Sequence, residues 1–390
     1  MRLTVWTYPW DVARLGADTV LGDLAARGLQ GIDLAATYHP ISALSPRGET
    51  VRGFFCPSGA VFFPARAGRY GRVRPQVWPD RDIVDAWAQV ASRVGDHGLE
   101  LNAWTIVLFQ PWLAQAYPDL ARVYATGNRL DSGVCPSHPD LHEYLRALVC
   151  DMTDQFPVGL VKLEGVHPPA FDYGWTRRRI YFDLTPEQQR LMALCFCDAC
   201  TAAGRQVGID VESVRRQVVA ALHHDASPSD TRSAGDELDA YAGVGPAAAA
   251  SLVHALAAAL RDSDSSARLA VASPLEGGGA GLPIESIVDD VGVVLLANVR
   301  GDLDAVRRAA RVLTARRPRP SLEYFLHPPL TTTGGGGIPH GIHEDLADPA
   351  WREDLQTAVQ LGADRISLYN YGLLTEATFD RLVKIARSAG

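Results

Sequence analysis

The sequence predicts one (β/α)8 TIM barrel over residues 1–390, carrying a largely helical insertion at 167–265. Three observations carry that expectation. Eight short apolar, β-rich runs recur along the chain, helical patterns separate them, and a further helical pattern follows the last run. Strands that alternate with helices need crossover connections, so they build a parallel sheet. An open doubly wound sheet is the competing architecture, but no GxGxxG turn follows the first run.

The first strand is expected at 3–8, followed by a helix at 18–27. The second strand, 31–37, runs into Tyr38-His39-Pro40. Residues 41–80 are rich in Gly, Pro and aromatics and read as a long loop above the barrel. Helices at 81–97 and 140–156 lead to strand three at 101–109 and strand four at 160–164. Residues 167–184 read as irregular and aromatic. Helical patterns then cover 185–204, 210–224 and 236–262, and the mixed charge and Ala of 210–262 suit packing or contact between copies in a homo-oligomer. Strands five and six are expected at 268–273 and 291–299. Helices at 303–316 and 349–361 lead to strand seven at 320–325 and strand eight at 365–369, and a helix at 375–388 closes the ring.

Composition bounds the partners. Of 390 residues, 47% are hydrophobic, enough for a large core. The net charge is -8, and the Arg177-Arg178-Arg179 run is too short to track phosphates, so no nucleic-acid partner is expected. The Ala-rich stretch 246–260 is broken by Ser251 and His254 and reads as a helix of a soluble protein, so no membrane partner is expected. The opening MRLTVWTYPW enters strand-like sequence at once, which suits a cytoplasmic enzyme. Six cysteines do not form a dense disulfide framework, and a reducing compartment leaves them free to bind metal.

In a (β/α)8 barrel the chemistry sits at the C-terminal strand ends. Glu164 closes the fourth run, GLVKLEG, and Glu323 lies in the seventh, PSLEYF. Two carboxylates about 5–5.5 Å apart across a barrel mouth can cleave a glycosidic bond with retention, through a covalent glycosyl-enzyme. Glu164 and Glu323 are therefore the candidate catalytic pair, and a small glycoside or oligosaccharide is the expected substrate. Flat rings cover the apolar face of a sugar, while amides and imidazoles bind its hydroxyls. Residues of those types gather at or near strand ends. They are Trp6, Tyr8, Tyr38, His39, Asn102, Trp104, His167, Asn298, Tyr324, His327, Tyr369 and Asn370.

Cys195-Phe196-Cys197-Asp198-Ala199-Cys200 places three thiols within six residues, and Cys135 can add a fourth. Four thiolates suit a closed, tetrahedral, structural zinc. The order of these features resembles the zinc-containing β-galactosidases of glycoside hydrolase family 42. In that family a Cys-Pro precedes the helix leading to strand four, the acid/base Glu ends strand four, and a CxCxxC cluster follows. Here Cys135-Pro136, Glu164 and CFCDAC come in the same order. The resemblance implies that Cys135, Cys195, Cys197 and Cys200 hold zinc, that Glu164 is the acid/base, and that Glu323 is the nucleophile. Where that family has Asn before the acid/base Glu, this chain has Leu163.

Two other classes compete. A divalent-metal sugar isomerase or epimerase needs a cage of Glu, Asp and His from several strand ends. Strand six offers Asn298, strand eight Tyr369-Asn370, and strand five only Glu276. A non-catalytic sugar-binding barrel would keep the aromatic mouth without convergent carboxylates. The loops GGGAG at 277–281 and GGGG at 334–337 lack the Gly-Lys-Ser/Thr of a phosphate-binding loop. They read as barrel-top loops, the second with His340 and His343 as a lid.

Overall fold

The computed structural model describes residues 1–167, 184–222, 235–273, 282–296, 303–327, 330–332, 339–342 and 349–389. Eight parallel strands form the centre. They are β1 Arg2–Thr7, β2 Gly31–Tyr38, β3 Glu100–Ile106, β4 Val158–Glu164, β5 Arg268–Ser273, β6 Val293–Leu296, β7 Ser321–Leu326 and β8 Arg365–Leu368. Each pairs with the next, and β8 pairs back to β1 with Arg365 opposite Arg2, so the ring is closed. The expected (β/α)8 barrel is the fold. Strands buried on both faces read as near-continuous apolar runs. Thus all of β2, GIDLAATY, is buried.

Helices cover the outside through one apolar stripe each. In Arg81–Arg93, Asp80 caps the N-terminus by accepting from the Asp82 N–H, and Ile83, Val84, Trp87 and Val90 are buried. Trp87 donates its indole N–H to the Ala35 carbonyl of β2 at 3.0 Å, which locks helix to strand. Val244–Arg261 buries Leu252, Val253, Leu256 and Leu260 in the main core, so it is the barrel's own helix between β4 and β5. The insertion proper is therefore shorter than 167–265. Asp236–Arg261 is by length and composition apolar enough to cross a membrane, yet its apolar stripe here faces the barrel.

Three hairpins were not legible as strands. Ile41–Ser45 pairs with Arg52–Cys56 inside the expected loop 41–80, and Ala60–Val61 adds antiparallel to the end of β2. The hairpin's inner face brings Phe54 onto Trp10, with ring centroids 3.7 Å apart. Ala121–Val123 pairs with Arg129–Val134 and delivers Cys135. Leu330–Thr332 pairs with Pro339–Ile342, so His340 sits in a strand. The helical pattern 185–204 splits into Pro186–Met192 and Asp198–Gln206, because Cys197 adopts an extended backbone as the second helix's N-cap. Asn298, His343, Glu276 and both Gly-rich loops lie outside the described residues.

Candidate active site

Inward-facing side chains stack in layers along the barrel axis. The lower layer is polar and fully enclosed: Thr4, Asp33, Asn102, Lys162, Glu323, Arg365 and Ser367 are all buried. Lys162 Nζ donates to Glu323 Oε1 at 2.6 Å and to Asp33 Oδ2 at 2.7 Å. Arg365 Nε donates to Glu323 Oε2 at 3.2 Å. Thr4 Oγ1 and Asn102 Nδ2 donate to the two Asp33 oxygens at 2.7 and 2.8 Å. Two carboxylates face two cations, so the layer is charge-balanced, the condition under which buried ions are tolerated. Burial pushes the Glu323 carboxyl up, but Lys162 and Arg365 outweigh it and hold the group below its ordinary range.

Above this layer the barrel is closed by rings. Trp6 meets Trp104 edge-on at 4.5 Å and Phe325 at 5.3 Å. Lys162 Nζ lies 5.4 Å from the Trp6 ring centroid. On β7, Phe325 is the next inward residue after Glu323 in the strand's alternation, so Glu323 stands one layer below the strand end. Glu164, by contrast, is the last residue of β4. Glu323 is 0% exposed and engaged by two cations beneath the ring floor. Asn102 belongs to the same charged layer and not to the mouth. Tyr324 faces outward, into the core between strands and helices. Lys162, Asp33 and Arg365 went unremarked in the sequence, although charged residues at period-2 positions of apolar strands were the available signal.

The mouth layer is built around Glu164, the last residue of β4. Trp104 Nε1 donates to Glu164 Oε2 at 2.6 Å. Burial raises the Glu164 carboxyl to about 7, with the Trp104 hydrogen bond opposing. Three phenols converge beside it. Tyr8 and Tyr38 hydroxyls are 3.1 Å apart, Tyr8 and Tyr369 2.8 Å, and Tyr38 and Tyr369 3.4 Å. Burial keeps the Tyr8 and Tyr38 phenols neutral, well above their ordinary range. His39 packs on Tyr38 and Phe109, and burial lowers it to about 4. His327 stacks on Tyr369 with centroids 5.0 Å apart. His167, just beyond β4, is lowered to about 4 by burial and by Arg122, so it too is neutral at pH 7. Asn370 Oδ1 accepts from the Gly372 N–H at 3.0 Å, while its Nδ2 has no hydrogen-bond partner among the described residues. The structure thus gathers Trp104, Tyr8, Tyr38, His39, His327 and Tyr369 near Glu164, over a floor that includes Trp6, while Asn370 caps the turn at Tyr371–Leu373. One carboxyl that titrates near neutrality, set among rings, can give and take a proton at physiological pH.

The four predicted cysteines do converge. The Sγ atoms of Cys135, Cys195, Cys197 and Cys200 all lie within 4.8 Å of one another and all four residues are buried. Cys135 and Cys200 sulfurs are 3.3 Å apart, Cys135 and Cys195 3.8 Å. A tetrahedral zinc with Zn–S near 2.3 Å has sulfur–sulfur edges of about 3.8 Å, so the donor set fits that ion. The cluster ties the 121–134 hairpin to the insertion, whose small core is Leu191, Phe196, Val214, Val218, Leu238 and Tyr241. Tyr241 donates its hydroxyl to the Cys195 carbonyl at 2.7 Å. No other His, Cys, Asp and Glu group among the described residues is arranged to hold an ion, so no isomerase-type cage is present among them.

No family model and no curated protein sequence matches the chain. Solved structures do. An α-L-fucosidase isoenzyme 2 from Paenibacillus thiaminolyticus superposes with a TM-score of 0.57 at 13% identity, covering 100% of this chain and 49% of that one. A β-galactosidase from the psychrophilic Marinomonas ef1 gives 0.56 at 12% identity, covering 99% and 59%. A GH42 β-galactosidase from G. stearothermophilus gives 0.55 at 11% identity, covering 100% and 56%. The chain spans about half the length of these proteins. At such identities the likeness is one of fold.

Proposed function

We propose that the chain hydrolyses a small glycoside or oligosaccharide, with Glu164 as the group that protonates the leaving oxygen. The carrying observation is a carboxyl at the end of β4, raised to about 7 by burial and oriented by Trp104. At neutral pH a large share of Glu164 is protonated and ready to donate to a glycosidic oxygen. As the bond from the anomeric carbon to the leaving oxygen breaks, water forms the new bond to that carbon and gives its proton to the Glu164 carboxylate. Aromatic rings at the mouth offer the stacking surface a sugar needs. The glycosidase barrels that share the fold, and the motif order around Cys135, Glu164 and CFCDAC, support the same reading.

The covalent version, with Glu323 as nucleophile, demands more. Glu323 would have to leave Lys162 and Arg365 and pass the floor of Trp6 and Phe325. We therefore give Glu323 the task of balancing Lys162 and Arg365, and rest the proposal on acid–base chemistry at Glu164. The zinc reading belongs to the same proposal: Cys135, Cys195, Cys197 and Cys200 would hold a structural ion, which supplies cross-linking and no open coordination position.

Aryl glycosides of several sugars, assayed with wild type and Glu164→Gln, test the reading. Turnover by wild type that falls at least a hundredfold in Glu164→Gln supports it. Unchanged turnover in the variant overturns it. A 2-deoxy-2-fluoro glycoside, which slows release of a glycosyl-enzyme, adds a second arm: a label on Glu323 would restore the covalent route. The sequestration of Glu323 also favours a second reading, a sugar-binding barrel without turnover. Sugar-dependent quenching of tryptophan fluorescence, with no hydrolysis of any glycoside, would select it.

A further inference from the structure

The face of the barrel opposite the mouth carries a cleft of about 400 Å³ between the N-terminal ends of β5, β6 and β7. Its charge is the reverse of the protein's. Arg261, Arg268, Arg316, Arg317 and Arg319 line it with only Asp289 and Asp290, a formal +3 in a chain of net charge -8.

The aspartates account for two of the arginines. Arg261 NH1 lies 2.9 Å from Asp290, and Arg316 Nε lies 2.9 Å from Asp289. The other three have no carboxylate partner among the described residues. Arg317 NH1 donates to the carbonyls of Thr314 and Arg316 at 2.8 and 2.6 Å. Arg319 NH2 donates to the Gly362 carbonyl at 2.8 Å. The Arg268 side chain makes no hydrogen bond or ion pair with any described residue. Helix C-termini attract cations, which explains Arg317 next to the end of Leu303–Thr314. It does not explain Arg268, which opens a strand.

Two glycines hold these side chains in place. A Cβ at Gly292 would stand 3.1 Å from both Cβ and Cδ of Arg268, so the missing side chain lets the Arg268 stem lie across the backbone. Gly362, at φ +94°, would place a Cβ 2.7 Å from the Arg319 guanidinium. Backbone carbonyls thus hold Arg317 and Arg319, the Arg268 stem lies against Gly292, and none of the three guanidiniums meets a carboxylate among the described residues. Like charges held in one cleft repel, and an anion bound between them relieves the repulsion. Guanidinium forks match phosphate oxygens in pairs.

We propose that this cleft binds a phosphate-bearing small molecule, with Arg268, Arg317 and Arg319 as its donors. The site is separate from Glu164 and does not depend on the hydrolase reading. Isothermal titration of the full chain with inorganic pyrophosphate, ATP and AMP tests it, repeated with Arg268→Ser/Arg319→Ser and with the single variant Arg268→Gln. Both changes are at exposed positions and leave Arg317 to cap its helix. Saturable binding that weakens about tenfold or more in the double variant supports the site. Equal affinity for pyrophosphate and ATP identifies the polyphosphate as the recognised group, and binding of ATP alone identifies a nucleotide. No saturable heat with any of the three, or an unchanged affinity in folded variants, overturns the proposal.

Discussion

Trp104 of β3 and Glu164, the last residue of the adjacent β4, are joined by a 2.6 Å hydrogen bond from indole N–H to carboxyl oxygen. The bond favours the carboxylate, so it holds the Glu164 value below where burial alone would put it. Trp104→Phe removes the donor and keeps most of the ring. Glu164 then loses its proton at higher pH, and the basic limb of the pH–rate profile moves up by about one unit. A lower rate with an unmoved limb would mean that Trp104 only packs.

Glu164→Gln should remove turnover and also stabilise the fold at alkaline pH. A carboxyl raised in the folded state costs stability once pH exceeds its unfolded value, and the cost grows until pH passes the folded value of about 7. Wild type is then the less stable protein at pH 8, by on the order of 3 kcal/mol, and the two proteins converge near pH 4. Urea melts at both pH values check this.

Lys162→Met should destabilise strongly without touching the mouth. It leaves Asp33 with no cation and Glu323 with Arg365 alone, both carboxylates being fully buried. Breaking a buried ion pair on one side costs about 3–5 kcal/mol. The depressed Glu323 value works in the other direction from Glu164. Its stabilisation is present above the ordinary carboxylate range and is lost as pH falls through the lowered folded value. Acid unfolding of wild type should therefore begin below pH 4, and Glu323→Gln should flatten that limb in circular dichroism titrations.

Metal analysis of protein purified without chelator should return about one zinc per chain. Cys200→Ser, or prolonged chelation, should lower the melting temperature and loosen the insertion to limited proteolysis, because the sulfurs help to tie the 121–134 hairpin to the insertion. Turnover by chains that remain folded should change little. Protein without zinc and with an unaltered melt would remove the metal from the account.

Local patterns carried most of the architecture. The eight strands lie within a few residues of their expected ranges because each is a short apolar run between helical patterns, and both periodicities are properties of neighbouring residues. The cysteine cluster was legible for the same reason, since three of its four thiols fall within six residues. The hairpins at 41–56 and 121–134 were not. Their strands, ISALS with RGFFC and ARV with RLDSGV, are too short and too mixed to show a period, and pairing across the turn creates them.

The sequence by itself determined that this chain is a (β/α)8 barrel with Glu164 at the end of its fourth strand. Only the tertiary structure decided the depth of each inward residue. Alternation along a strand says that Glu323 faces the barrel axis, and no more. Its height depends on the stagger of the closed ring, which sets it beside Lys162 and Arg365, under Phe325. The same stagger brings Trp104 to Glu164. Burial, opposed by that hydrogen bond, sets Glu164 near neutrality at the mouth, whereas two cations hold Glu323 low in the interior.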